Sequence, residues 1–368
     1  MCKTMMLAFG LALLAGQAMA AGGRWDGADD LAVNPLSCTG GAPTVVSKPY
    51  DGGRPTNPPD LAGKPITLVD VPKLIGIGYF NATSKGMQLA AQELGNVKVT
   101  TDGPTEAKID EQINFIDNYI TKGINGVLFA ANDPVAIAPV LKKALSKGIH
   151  VIGYDANSQP DAREWFVNQA EFNGIGKAMI DNMAKEIGED KSFAIVTSTF
   201  TTPNQARWIA EMWAYAQKCH PKLKWLETVE AQEDNNLSFN QATAMINKYG
   251  DKLGGLFGMT SVATPASAEA VTRAGLCGKV AVVGLATPNG MRPYVKSGCV
   301  KSVVLWNPVD LGYAAVYAMR ADVDGKLKPG AKELDAGKLG KLAVVNGSEI
   351  LLGPPFVFTK ENMDQFNF

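Results

Sequence analysis

From Pro65 to about Asp324 the chain alternates between short apolar runs and longer stretches whose apolar residues recur three and four apart. That alternation constrains the fold more than any single motif. Ile66–Val71 and Val97–Thr101 read as strands, and Val127–Ala130 as a strand buried on both faces. The stretches between them read as amphipathic helices: Asn81–Leu94, Ala107–Lys122 with Ile109, Ile113, Ile116 and Ile120 along one side, and Pro134–Lys147 closed by Gly148. The second half repeats the rhythm. Strands are expected at Ser192–Ser198, Leu223–Glu230, Leu256–Met259, Val280–Leu285 and Val300–Trp306. Helices are expected at Asn173–Ile187, Gln205–Lys218, Ser238–Tyr249, Pro265–Ala274, Gly290–Ser297 and Val309–Asp324. Strand following helix following strand builds a parallel sheet covered on both faces. The pattern predicts an α/β protein of two Rossmann-like lobes, and a length of 368 residues accommodates two domains.

The pivotal stretch is Gly148-Ile149-His150-Val151-Ile152-Gly153-Tyr154-Asp155-Ala156-Asn157. An apolar run there ends abruptly in polar residues. Ligands of open α/β sheets sit just beyond the carboxyl ends of the strands, and Asp155 stands at that end. An aspartate after a strand also serves as a turn former or helix cap. The remaining strand ends favour the ligand-facing role.

Several function classes are disfavoured by what the chain lacks. The net charge is −1 with no basic stripe, so nucleic acid is not an expected partner. Only His150 and His220 occur, with no His-x-x-x-His or Cys-x-x-Cys spacing, so neither metal nor cofactor is expected. Ser198, Ser261 and Ser267 lie outside any Gly-x-Ser-x-Gly elbow. Gly76-Ile77-Gly78 lacks the third glycine of a dinucleotide loop, because Asn81 stands there. No acid/base set is visible, and an enzyme is not expected.

Polar and aromatic residues instead gather at the expected strand ends. They are Lys73 with Tyr79 and Phe80, Asn132 with Asp133, Asp155, Asn204 with Gln205, Thr260 with Ser261, Thr287, and Trp306 with Asn307. Hydrogen-bonding groups for hydroxyls beside flat aromatic faces for C–H surfaces suit a carbohydrate-like ligand.

The start of the chain points to export. Lys3, the apolar run Met5–Ala15 and Ala18-Met19-Ala20 have the order of a signal peptide over residues 1–20, giving a soluble periplasmic protein after cleavage. Residues 21–63 are rich in Gly, Pro, Asp and Ser and read as an irregular surface arm. Without Cys2, four cysteines remain, which allow three pairings. Cys277 and Cys299 each follow a Gly-rich helix end and precede a strand. If those strands are neighbours the two cysteines share an edge, and Cys277–Cys299 is the expected disulfide. Cys38 and Cys219 would then form the other.

Pro72-Lys73 with Gly78-Tyr79-Phe80, Asp102-Gly103-Pro104, Ala131-Asn132-Asp133-Pro134, Asn168-Gln169, Thr287-Pro288-Asn289 with Met291-Arg292-Pro293-Tyr294-Val295, Leu305-Trp306-Asn307-Pro308-Val309-Asp310-Leu311-Gly312 and Gly353-Pro354-Pro355 carry a resemblance. From Pro65 to Phe368 the chain resembles the type I periplasmic substrate-binding proteins of sugar ABC transporters. Within them it is most similar to the rhamnose-binding and autoinducer-2-binding group. The resemblance implies two lobes joined by a three-crossover hinge that closes on a ligand. The crossovers are expected near Asp155–Ser158, Trp306–Pro308 and after Gly325. That divides the chain into a first lobe of 64–157 plus 307–328 and a second of 158–306 plus 329–368.

The resemblance further implies ligand-binding roles for Lys73, the aromatic pair Tyr79 and Phe80, Asp155, Gln205 and Trp306. Asn204 stands where autoinducer-binding members have aspartate. Met259-Thr260-Ser261 stands where they have Pro-Asp-Ala, so Met259 and Ser261 depart from the pattern, and Asn307 is expected beside Trp306. The implied function is a monomeric solute receptor that delivers a sugar, polyol or autoinducer-2-like hydroxyketone to an inner-membrane permease. The alternative is a periplasmic sensory adaptor presenting its ligand to a receptor kinase.

Overall fold

The computed structural model describes residues 24–40 and 48–368; the expected signal peptide and its cleavage site lie outside the described residues. The first unit runs β1 (Ile66–Val71), α1 (Gly78–Leu94), β2 (Val97–Thr101), α2 (Ile109–Thr121), β3 (Gly126–Phe129), α3 (Ala138–Ser146), β4 (His150–Tyr154) and β5 (Trp165–Asn168). The second runs α4 (Phe172–Ile187), β6 (Ser192–Thr197), α5 (Pro203–Cys219), β7 (Lys224–Glu230), α6 (Asn235–Tyr249), β8 (Leu253–Gly258), α7 (Ala263–Arg273), β9 (Ala281–Gly284), α8 (Pro288–Ser297) and β10 (Ser302–Leu305). Then follow α9 (Pro308–Val323), β11 (Glu333–Asp335), β12 (Lys341–Val345), β13 (Glu349–Leu351) and β14 (Phe356–Thr359).

The strands form an eight-stranded sheet in the order β11-β12-β13-β5-β4-β3-β1-β2 and a four-stranded sheet in the order β7-β6-β8-β9. Strands β1 to β5 pair in parallel, as do β6 to β9. A parallel bridge from Leu285 to Val304 extends the second sheet to β10, which pairs antiparallel with β14. The expected α/β architecture of two largely parallel sheets is what forms. Its central strands, β3, β4, β6 and β8, are buried along their whole length, as their continuous apolar runs require.

Two of the three expected crossovers are corrected. Strand β5 pairs with β4, and β13 pairs with β5, so Trp165–Asn168 and residues 333–351 belong to the first sheet. The chain therefore leaves the first lobe at residues 169–171, not at Asp155–Ser158. It leaves it again at residues 352–355, not after Gly325. Between β10 and α9 the chain passes through Trp306 and Asn307. The physical reason is local. Strand β5 shows only Trp165-Phe166-Val167 between Glu164 and Asn168, and β11 to β13 are short strands in Gly- and Lys-rich sequence, β13 parallel to β5 and the other two added antiparallel, all too brief to show a period.

Helix α9 returns from the crossover and packs closely on α1. Gly86 and Gly312 permit this: a Cβ at Gly86 would lie 1.8 Å from the Val309 carbonyl oxygen, and one at Gly312 would lie 2.0 Å from that of Thr83. The two backbones meet through these glycines.

Among the described residues of the arm there is no strand and one short 3-10 turn, Asp26–Ala28, and they are tied to both lobes. Cys38 is disulfide-bonded to Cys219 at the end of α5, and Cys277 is bonded to Cys299. Trp25 stacks on Phe200 at 5.2 Å. Further along, Tyr50 packs edge-on against Trp165, and Arg54 contacts Asp322 at 2.9 Å and Glu164 at 3.3 Å. Those carboxylates also hold His150, whose Nδ1 lies 3.0 Å from Asp322 and 3.1 Å from Glu164.

This buried cluster sets a pH dependence. Burial alone would lower the His150 pKa, but hydrogen bonds to Asp322 and Glu164 override it and hold it up at about 9. Burial lifts the Glu164 carboxyl to about 7, with His150 opposing. A raised folded-state pKa contributes stability that is full below the unfolded value and is lost as pH rises through the folded one. The Glu164 contribution should therefore fall between about pH 4.5 and 7, and the His150 contribution between about pH 6.5 and 9. Melting curves of wild type and His150→Gln should converge over the second window; a constant gap between pH 6.5 and 10 would refute this account.

Candidate functional site

The cleft between the lobes is lined by the ends of the central strands and the helix N-termini beyond them. Gly76, at φ +92°, turns the chain after β1, and α1 then opens at Gly78. Tyr79 and Phe80 thus lie in the first helical turn, not in a loop. From the second lobe, Pro203 opens α5 and places Asn204 and Gln205 in its first turn. Asp155 follows β4 in the left-handed region at φ +59°, which Asp and Asn tolerate better than most residues. That turn directs its carboxylate across the cleft.

Around Asp155 the polar groups converge. Lys73 Nζ lies 3.0 Å from Asp155 Oδ2, and the Tyr79 hydroxyl donates to Oδ1 at 2.8 Å. Asn204 reaches from the other lobe: its Nδ2 donates to Asp155 Oδ2 at 3.3 Å, and its Oδ1 accepts from Lys73 Nζ at 3.2 Å. Trp306 Nε1 donates to the Tyr79 hydroxyl at 2.9 Å. Burial, with the Asp155 charge added, holds the Tyr79 phenol well above its usual pKa, so it remains a donor. Asn132 supports the set from beneath, donating to the Lys73 carbonyl at 2.9 Å.

Aromatic rings complete the walls. Tyr79 meets Phe80 edge-on at 5.1 Å and Trp306 at 6.0 Å, while Trp208 lies 5.6 Å from Trp306. The space between them is a cavity of about 40 Å³, lined by Lys73, Tyr79, Phe80, Asp155, Asn204, Gln205, Met259, Ser261 and Trp306 among others. These nine expected residues are brought together. Asn307 is not among them and is corrected: its Oδ1 accepts from the backbone N–H groups of Val309 and Asp310, so it caps α9. A residue just before a proline-led helix is drawn to that role. Asp133 and Thr287 are likewise spent on capping their own segments.

Trp208, Glu233 and Thr260 also line the cavity. Trp208 sits one helical turn after Asn204, a spacing that would have placed it on the same face. Glu233 lies in the polar run Gln232-Glu233-Asp234 just after β7, a strand-end signal of the kind that marked the others.

His150, Glu164 and Asp322 form the one trio of His, Cys or carboxylate side chains among the described residues whose ligand atoms all lie within 4.8 Å of one another. Its atoms are already bonded to one another, to Arg54 and to Trp165 Nε1, and it fastens the arm outside the cleft lining. No helix of the described residues is long and apolar enough to cross a membrane.

Residues 69–327 match the family model described as a periplasmic binding protein domain. The chain belongs to the periplasmic binding protein family. A sugar ABC transporter protein from Actinomyces odontolyticus is 30% identical, with a TM-score of 0.68 over 86% of this chain and 100% of that one. An ABC transporter solute-binding protein from Clostridium phytofermentas, solved with bound L-rhamnose, is 29% identical, with a TM-score of 0.76 over 82% of this chain and 98% of that one. The D-ribose/D-allose-binding protein of Pseudomonas aeruginosa is 28% identical over 207 residues, 53% of this chain. That match covers 62% of the Pseudomonas protein, less than two thirds of its length.

Proposed function

We propose that this periplasmic binding protein is the sugar-binding component of an ABC importer. It takes a small, uncharged, multiply hydroxylated ligand into the cleft and presents it, as a soluble monomer, to an inner-membrane permease. The observation that carries this reading is the meeting of Asp155 from one lobe with Asn204 from the other inside an aromatic-walled cavity. Each can exchange its partner across the cleft for a ligand hydroxyl when the lobes part and close again. A cavity of about 40 Å³ has room for only a few waters, so a sugar ring enters the opened form. The side chains around Asp155 bond to one another in a closed set, which suits holding a ligand unchanged.

L-rhamnose, D-ribose and D-allose, the sugars named for the related proteins, are the first probes, with other pentoses, polyols and small hydroxyketones after them. At a thousandfold excess over Kd, a ligand bound only by the folded state adds about 4 kcal/mol of stability. A thermal-shift screen should find at least one such compound, recovered unaltered afterwards. A screen without any shift, or conversion of the ligand, would overturn the proposal.

A further inference from the structure

Asp155 has three polar partners in the cleft, Lys73, Tyr79 and Asn204, but Glu233 is less well provided. It lines the same cavity from the turn between β7 and α6. Its Oε1 accepts from Gln205 Nε2 at 3.2 Å, while its Oε2 is shut off from solvent and has no partner. The backbone that aims it inward is strained: Gln232 and Glu233 follow one another in the left-handed region, at φ +51° and +56°. Hydrogen bonds on either side hold the turn in place. Ala231 and Gln232 N–H donate to the Ser198 carbonyl, and Asp234 caps α6 through Leu237 N–H. Strain at a cavity wall that orients a half-satisfied carboxylate is an arrangement with a use for that carboxylate.

Charge gives the same indication. Besides the neutral Tyr79 phenol, the ionisable lining consists of two carboxylates, Asp155 and Glu233, and one ammonium, Lys73, which is already engaged by Asp155 and Asn204. The cavity is left with a surplus negative charge and an unused acceptor.

We infer that Glu233 reads the ligand: its free oxygen accepts a hydrogen bond from a hydroxyl of the bound sugar, and its charge excludes sugar acids and sugar phosphates. This inference deepens the sugar-binding proposal and rests on it.

The full mature chain is titrated calorimetrically at pH 7.5 as wild type, Glu233→Gln and Asp155→Asn. The probes are L-rhamnose, D-ribose and D-allose and the corresponding aldonates. For the neutral sugar that binds wild type, Glu233→Gln should weaken affinity roughly tenfold. The matching aldonate should bind wild type at least about a hundredfold more weakly than its parent, and Glu233→Gln should narrow that ratio roughly tenfold.

A ligand-free measurement separates this role from a structural one. Burial raises the Glu233 carboxyl above its usual pKa and the Asp155 charge adds to it, while the Lys73 charge, the Thr260 hydroxyl and the Gln205 amide oppose. The ionised form therefore costs stability above its pKa, and Glu233→Gln should melt about 1–3 °C higher than wild type at pH 8. The gap should close toward pH 4. Unchanged affinity and selectivity in Glu233→Gln, or a lower melting point at pH 8, overturns the inference. If Asp155→Asn loses affinity while Glu233→Gln does not, only the role of Glu233 falls. If Asp155→Asn also binds fully, or no probe sugar binds wild type, the cleft assignment fails and this inference with it.

Discussion

Replacing Asp155 with asparagine should cost the protein both its ligand and part of its stability. Asparagine keeps the shape, tolerates φ +59° and still accepts from Tyr79, so the variant removes little besides the charge. An ionised acceptor in a closed, dry cleft contributes on the order of 2–3 kcal/mol to its ligand contacts, so affinity should fall roughly a hundredfold. The sequence alone suggests a cleft carboxylate whose loss leaves the fold untouched. The structure changes that expectation. Asp155 is 3% exposed and Lys73 is 4% exposed, and their ion pair at 3.0 Å is buried even without ligand. Breaking one side of a buried pair leaves an uncompensated charge, at about 3–5 kcal/mol in the most enclosed cases. The upper part of that range does not apply, because Asn204 Oδ1 still accepts from Lys73. A loss of about 2–3 kcal/mol in urea unfolding is expected, with native circular dichroism in water. A folded Asp155→Asn protein with wild-type affinity would mean that the ligand sits elsewhere.

Gly312→Ala should be among the most damaging single-methyl changes in the molecule. In an exposed helix the substitution would gain about 1 kcal/mol from propensity. Here the added Cβ would lie 2.0 Å from the Thr83 carbonyl oxygen, and backbone cannot rotate aside as a side-chain tip can. Helices α1 and α9 must separate, which opens the core along their contact. The clash outweighs propensity, and a net loss of about 3–5 kcal/mol is expected. Because α9 begins at the Trp306–Asn307 crossover and α1 carries Tyr79 and Phe80, the shift should also reach the cleft and weaken ligand binding. Gly290→Ala in α8 is the control: its Cβ would meet nothing closer than 3.4 Å, and it should be neutral or slightly stabilising. Equal effects of the two substitutions in urea unfolding would show that the close helix contact is not what matters.

Much of this protein is determined by local sequence. The long apolar runs of β1, β3, β4, β6 and β8 and the three-four spacing of the helices specify a two-sheet α/β architecture, because burial on both faces leaves a continuous apolar signature. Asp155, Lys73, Tyr79, Phe80, Asn204, Gln205 and Trp306 are legible because in parallel sheets function collects where strands end. The same rule misleads at Asn307, since a strand end followed by a helix calls equally for a cap.

Tertiary structure alone decides what depends on partners distant in sequence. Strand β5 and strands β11 to β13 are too short to announce themselves, and their pairing with the first sheet sets where two of the crossovers fall. The arm has no period of its own; its place comes from Cys219, Trp165, Glu164 and Asp322, more than a hundred residues away. Glu233 is polar in a polar run, and only the fold shows its carboxylate turned inward with an oxygen left free. Local sequence reports the period and chemistry of a segment. Which group is buried, paired or left without a partner is fixed only when the two lobes meet.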